Sequence, residues 1–134
     1  MELIGLLVMT TAILMYGVIP ILADFNSSHA TNPSWSPHAR FHVVTQVLTS
    51  SAIAFVALVL IWIPGNNRAL YVCVAVIISS CVLGGFFLSA LSKKSYGGQL
   101  SDNPIRRRID PNLANFAASA VLLFTGRIFI LASS

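Results

Sequence analysis

The sequence predicts an all-α protein, an integral membrane bundle of four helices. The chain has 134 residues, of which 56% are hydrophobic and only 9% are charged, whereas soluble domains carry about 25% charged residues. Four apolar stretches are each long enough to cross a hydrocarbon core about 30 Å thick. We therefore expect a single transmembrane domain over residues 1–134, with helices at about 2–23, 37–63, 69–91 and 111–132.

The first helix has no lysine or arginine before it, and Ile21-Leu22-Ala23 at its end is a poor cleavage site for a signal peptidase. We expect this segment to remain as a transmembrane helix. The second helix has a clear start, because Ser36 can cap it and Pro37 suits its first turn.

A Pro64-Gly65-Asn66-Asn67 turn separates the second helix from the third. Cys73 and Cys81 lie eight residues apart within the third helix, which separates their directions by about 80°. They are poor disulfide partners. The fourth helix starts like the second, with Asp110 as its cap and Pro111 in its first turn.

The basic residues predict the orientation of the chain. The two long loops, at about 24–36 and 92–110, fall on one side of a four-helix protein. The basic residues in or beside them are Arg40, Lys93, Lys94, Arg106, Arg107 and Arg108. The other side has Arg68 and Arg127. This difference places the long loops in the cytoplasm and both termini on the opposite side. The basic charge thus indicates membrane orientation, with the lipid bilayer as the partner and no nucleic acid.

The second helix carries polar residues at steps of four, three and four, which is one helical face. These residues are His38, His42, Thr45 and Thr49. Gln46 lies beside them, and its amide would be costly to expose to lipid tails. We therefore expect this face to point into the bundle.

The fourth helix has a matching stripe of Asn112, Asn115 and Ser119, which starts from the same side of the membrane. Two polar stripes at one depth predict a shared cavity. Gln46, Asn112 and Asn115 are its candidate ligand-binding residues.

The first loop and the start of the second helix hold every histidine of the chain, namely His29, His38 and His42. One interpretation is a metal site with these three histidines as ligands, because His38 and His42 at i and i+4 share a helical face; Asp24 is a further candidate ligand. The spacing matches no established metal motif.

A second interpretation is acid and base catalysis on a lipophilic molecule such as a sterol or isoprenoid, which needs no cofactor. The candidate catalytic residues are His38, His42, His29 and Asp24. Trp35 would cover the cavity, and Arg40 would hold an anionic or carbonyl group.

A third interpretation is structural, in which the polar residues tie the helices together or contact a larger partner. The protein would then be a non-catalytic subunit of a membrane complex, whereas the enzyme or binding protein is expected to be a homo-oligomer. The sequence does not identify a reaction, a ligand or a cofactor.

Two further contacts are predicted away from these residues. Arg127 lies about 26 Å along the fourth helix, on the same side as Glu2, so an ion pair between them could join the first and last helices. Gly84-Gly85 in the third helix is typical of a close helix contact.

The string His29-x-x-Asn32-Pro33-x-Trp35-x-x-His38-Ala39-Arg40-Phe41-His42 resembles the signature of a family of small, uncharacterised four-span membrane proteins. That resemblance supports the motif as a site without naming its chemistry. In architecture alone, the chain is also similar to sterol-isomerase-type and DoxX-type bundles. It lacks an intramembrane glutamate to pair with the histidines, so no catalytic residue is carried over from the isomerases.

Overall fold

A computed structural model describes residues 1–101 and 109–133. This part of the chain forms four long helices, α1 (Glu2–Asp24), α2 (Pro37–Trp62), α3 (Arg68–Ser92) and α4 (Pro111–Leu131). A short 3₁₀ helix, Lys93–Tyr96, follows α3. Each long helix is long and apolar enough to cross a membrane. The all-α class and the four helices are confirmed.

The caps predicted for α2 and α4 are present. Ser36 Oγ accepts a hydrogen bond from the backbone N–H of Ala39 at 3.2 Å. Asp110 Oδ1 accepts from the N–H groups of Asn112 and Leu113, at 2.8 and 3.3 Å. Side-chain acceptors thus satisfy backbone donors that have no partner inside the helix.

The most extensive helix contact is between α1 and α4, and it includes a close approach at two glycines. A Cβ atom added to Gly5 would lie 2.7 Å from the carbonyl oxygen of Gly126, and one added to Gly126 would lie 2.6 Å from that of Gly5. Only residues without a side chain allow the backbones to approach so closely. α1 and α4 therefore pack antiparallel along their length.

Small residues also join α1 to α2. A Cβ atom on Gly17 would clash with the Cβ of Ala54, and Ser51 Oγ donates to the Gly17 carbonyl oxygen at 2.7 Å. The inner face of α2 consists of apolar residues one to two turns apart, including Val47, Ala54 and Ala57. This face fixes the rotation of α2 about its axis.

α3 completes the bundle by packing against α2 and, less extensively, against α4. The buried hydroxyls of Tyr16 in α1 and Ser79 in α3 are hydrogen-bonded at 2.8 Å, across the bundle. Phe86 of α3 and Phe116 of α4 stack with their ring centroids 3.9 Å apart. The loose α3–α4 contact leaves space beside this stack.

The predicted ion pair between Glu2 and Arg127 is wrong. Glu2 Oε1 lies 2.5 Å from Nε of Arg68, at the start of α3. The tight turn after α2 returns the chain to the end of the bundle where α1 begins, and so brings Arg68 to Glu2. Cys73 and Cys81 are free, as expected.

Candidate functional site

The polar stripe of α2 does not point into the bundle, contrary to the sequence prediction. His38, His42, Thr45, Gln46 and Thr49 are all exposed. Thr45 and Thr49 each lie two residues from buried Val47, a rotation of about 200° from the face that packs on α1. Close packing of the small residues of α2 against α1 therefore turns the polar stripe outward.

The stripe forms one wall of a groove between α2 and α3. The polar part of this groove has a volume of about 400 Å³ and is lined by His42, Thr45 and Thr49 on one side and by Cys81 and Gly85 on the other. An added Cβ atom on Gly84 or Gly85 would meet nothing within 4 Å. The predicted close helix contact at these glycines is therefore wrong; their small size keeps the groove open.

Deeper along the helices the groove becomes apolar. A second depression of about 490 Å³ shares Thr49, Ile53 and Cys81 with the polar part and adds Val56 and Ile78. The groove thus passes from polar residues near the start of α2 to apolar residues near its middle.

A smaller polar pocket of about 170 Å³ lies between α1, α2, α3 and α4, at the end of the bundle that carries the long loops. The polar side chains that line it are Asp24, Gln46, Ser50, Asn112 and Asn115. Gln46 comes from α2 and the two asparagines come from α4, so the structure brings together the residues that the sequence predicted to share a cavity.

Asn115 is held within this pocket by one long hydrogen bond. Its Nδ2 donates to the carbonyl oxygen of Met15 in α1 at 3.4 Å. Its Oδ1 is buried and accepts no hydrogen bond from the described residues. An unpaired buried acceptor costs about 1–3 kcal/mol, so the pocket contains an acceptor that a hydrogen-bond donor would satisfy.

The groove and the polar pocket are connected. A depression of about 310 Å³ between them is lined by Gln46 and Ser50 of α2, Gly85 and Phe86 of α3, and Phe116 of α4. Gln46 and Ser50 line the pocket, this connection and the polar groove. The three spaces thus form one continuous site around Gln46.

The three histidines separate into two groups. His38 and His42 contact each other, with 2.9 Å between their Nε2 atoms and a T-shaped arrangement of their rings. A hydrogen bond between these nitrogens has one ring as the donor and the other as the acceptor. His42 also lines the groove.

His29 belongs to the other group, in the first loop. Its Nδ1 lies 3.8 Å from Asp24 Oδ1 and 2.7 Å from Ser28 Oγ, and its ring meets Trp35 edge-on at 5.3 Å. Trp35 is half-buried. The described residues place no three His, Cys, Asp or Glu side chains so that they could hold a metal ion.

Arg40 is half-buried and lies two residues from both His38 and His42. Its direction differs from theirs by about 200°, so Arg40 and the histidine pair occupy opposite sides of α2. Arg106, Arg107 and Arg108 of the basic loop lie outside the described residues.

Sequence reasoning missed the groove-lining residues of α3 and the apolar groove residues of α2, and it also missed Ser50, Phe86 and Phe116. Ser50 follows Gln46 by one helical turn and could have been found from that spacing. Phe86 and Phe116 could not, because aromatic residues in membrane helices face lipid or protein alike.

Comparison with curated proteins and with solved structures gives no match. The model of a family of unknown function, DUF6640, matches residues 8–131, which covers α2, α3, α4 and most of α1. The chain therefore belongs to this uncharacterised family.

Proposed function

We propose that the protein binds an amphiphilic molecule from the bilayer. The apolar chain of this molecule would lie in the α2–α3 groove, and its polar end would lie beside Gln46. One observation carries the proposal: the site changes from apolar to polar along the helix axes and ends in a polar pocket among the four helices.

The direction of this change matches the orientation of a membrane lipid. His42 lies about 8 Å along α2 from Pro37, and Ile53 lies about 24 Å along it, at 1.5 Å per residue. A lipid in a bilayer has its polar end at the boundary and its chain toward the centre. An amphiphile could therefore enter the open groove sideways from the lipid without turning over.

Acid and base chemistry would require a substrate atom next to the histidine pair. His42 lines the groove and contacts His38, so its ring could exchange a proton with the polar part of a bound molecule. The proposal is therefore binding, with proton transfer at His42 as the reaction that this arrangement would support.

The test is photolabelling of the purified protein, in detergent or in vesicles, with a diazirine-bearing analogue of oleyl alcohol. The label is expected on groove-facing peptides of α2 and α3. Ile53→Trp should fill the apolar groove and lower labelling about tenfold, which corresponds to about 1.4 kcal/mol. Leu48→Trp is the matched control, because Leu48 is exposed on α2 and lines none of these spaces.

Equal labelling of all lipid-facing residues, or an Ile53→Trp variant labelled as strongly as the unchanged protein, would overturn the proposal. The circular dichroism spectrum of each variant shows whether the helices are retained. Unlabelled oleyl alcohol in excess competes for a specific site. It should therefore remove the label from the groove and leave nonspecific labelling unchanged.

A second candidate is a non-catalytic subunit of a larger membrane complex, because a partner chain could cover the polar groove residues. The mass of the protein purified from its own membrane in mild detergent separates the two. A single chain or a homo-oligomer favours the binding protein, whereas stoichiometric co-purification of other chains favours the subunit.

We also propose that both long loops face the cytoplasm, with the termini on the opposite side. The support is the distribution of Lys and Arg along the sequence. Asn26-Ser27-Ser28 is a glycosylation sequon in the first loop. A glycan at Asn26 after expression in eukaryotic cells would place this loop outside the cytoplasm and reverse the orientation.

A further inference from the structure

The polar pocket contains a carboxylate and no basic residue in its described lining. Asp24 is its acidic residue, and Gln46, Ser50, Asn112 and Asn115 supply the other polar groups. His29 lies close to Asp24 but does not line the pocket. An anionic group placed here would be repelled by the Asp24 carboxylate, and no basic side chain of the described lining would offset this repulsion.

Each asparagine adds an amide oxygen as an acceptor, and one of the two N–H groups on its Nδ2 atom contacts a backbone carbonyl oxygen. Nδ2 of Asn115 donates to the Met15 carbonyl oxygen, and Nδ2 of Asn112 donates to that of Leu100, both at 3.4 Å. A carbonyl oxygen can only accept, so these contacts fix which end of each amide is the nitrogen. The Oδ1 atom of Asn115 is left buried without a donor in the described structure.

From the Asp24 carboxylate, the unpaired Asn115 oxygen and the lack of a basic residue in the described lining, we infer that the polar end of the bound amphiphile is a hydrogen-bond donor, a hydroxyl or an ammonium group, and that carboxylate and phosphate heads bind more weakly. This inference rests on the proposed function, because it assumes that the polar pocket receives the end of a molecule bound in the groove.

The size of the pocket limits this polar end further. A volume of about 170 Å³ corresponds to about six water molecules at roughly 30 Å³ each. The pocket therefore holds a head of a few heavy atoms, such as a primary alcohol, a primary amine or an amino alcohol. The Oδ1 atom of Asn115 would accept from a donor of either kind, and Asp24 would add attraction for the ammonium alone.

The experiment compares three molecules with the same chain and different heads, namely oleylamine, oleyl alcohol and oleic acid. Each is measured as a competitor against the photoreactive oleyl alcohol analogue on the purified full chain. The amine and the alcohol are expected to compete at concentrations at least about tenfold below that of the acid, a difference of about 1.4 kcal/mol.

Two variants separate the contributions of the head groups. Asp24→Asn should weaken competition by oleylamine about tenfold and leave oleyl alcohol unchanged. Asn115→Leu, of similar size, should weaken both. Leu48→Ala, on the outside of α2, should change neither. The concentrations at which the three molecules compete on the unsubstituted protein test the inference even if Asn115→Leu fails to fold.

The outcomes distinguish the inference from the proposed function. If oleic acid competes as well as the alcohol, the proposed amphiphile site is retained, and the inference that the head group is a hydrogen-bond donor is wrong. If the amine and the alcohol bind but Asp24→Asn and Asn115→Leu have no effect, the head lies elsewhere in the groove. If none of the three molecules competes and no groove label forms, the proposed function itself fails.

Discussion

Phe86 and Phe116 stack almost parallel, with their planes 7° apart, and both rings line the connection between the groove and the polar pocket. They bridge α3 and α4 where these helices otherwise contact each other little. The stack thus forms the outer wall of the site and joins the two helices that enclose it.

Replacing Phe116 with alanine should therefore affect both stability and binding. The loss of an aromatic pair costs about 0.5–1.5 kcal/mol beyond the area it buries, and the enlarged connection should release a bound amphiphile faster. Thermal unfolding in detergent and the dissociation rate of photoreactive oleyl alcohol before illumination measure these effects. Phe124→Ala is the control, because Phe124 is exposed on the same helix; equal changes in both variants would contradict the role of the stack.

The hydrogen bond between Tyr16 and Ser79 should couple α1 to α3. Both side chains are fully buried, so Tyr16→Phe or Ser79→Ala leaves the other hydroxyl without its partner. Each change is expected to lower the free energy of unfolding by about 1 kcal/mol, within the range measured for hydrogen bonds between membrane helices.

A double-mutant cycle over these two positions checks the contact directly. The double variant should be less destabilised than the sum of the two single variants, because the second substitution removes a hydroxyl that is already unpaired. Additive changes in the unfolding free energy, measured in mixed micelles with increasing SDS, would show that the hydroxyls do not interact.

The contact between Gly5 and Gly126 should tolerate no added methyl group. In Gly126→Ala the new Cβ atom would lie 2.6 Å from the Gly5 carbonyl oxygen and 2.9 Å from the Met9 backbone nitrogen, so α1 and α4 must separate. We expect a loss of about 1–3 kcal/mol, as for overpacked cores. Gly84→Ala, where nothing lies within 4 Å, should cause no loss in the same unfolding assay. Equal stability of the two variants would contradict this close approach.

Local features of this fold could be read from the sequence, because their physical causes are local. Ser36-Pro37 and Asp110-Pro111 predict helix starts, since a cap requires only an acceptor and the N–H groups that follow it. The thickness of the bilayer sets the length of a spanning helix, and the number of apolar stretches of that length predicts the number of helices.

The rotation of α2 about its own axis could not be predicted from local sequence in this way. In water, apolar residues mark the inner face of a helix, but in a bilayer they face protein or lipid equally well. Contact between Gly17 and Ala54 decides the rotation instead, and this depends on small residues in two different helices. The polar stripe therefore faces a groove rather than the interior.

The candidate site was predicted in part for the same reasons. Asn115 and Gln46 line one pocket. Asn115 lies about one turn from the start of α4, and Gln46 lies about two and a half turns from the start of α2, at the same end of the bundle. The sequence specifies both positions. The position of His29 depends on the first loop, where Asn26 Oδ1 accepts from the Ser28 N–H and Asn32 Oδ1 accepts from the Ser34 N–H. Such side-chain turns follow no periodic pattern.

His42 should be required for ligand binding and dispensable for folding. It is exposed on α2, and the ring contacts it makes are with His38 and Phe41, within its own helix, so His42→Ala removes no contact between helices. The free energy of unfolding should change by less than about 0.5 kcal/mol, as for surface substitutions. Photolabelling of the groove should fall, because the polar wall loses its hydrogen-bonding ring at the boundary where the amphiphile enters.

Phe41→Ala, which alters a neighbouring exposed ring outside the groove lining, is the control. Labelling retained in His42→Ala would limit the binding site to Gln46 and the polar pocket, whereas a variant unable to fold would show that the histidine pair supports the bundle.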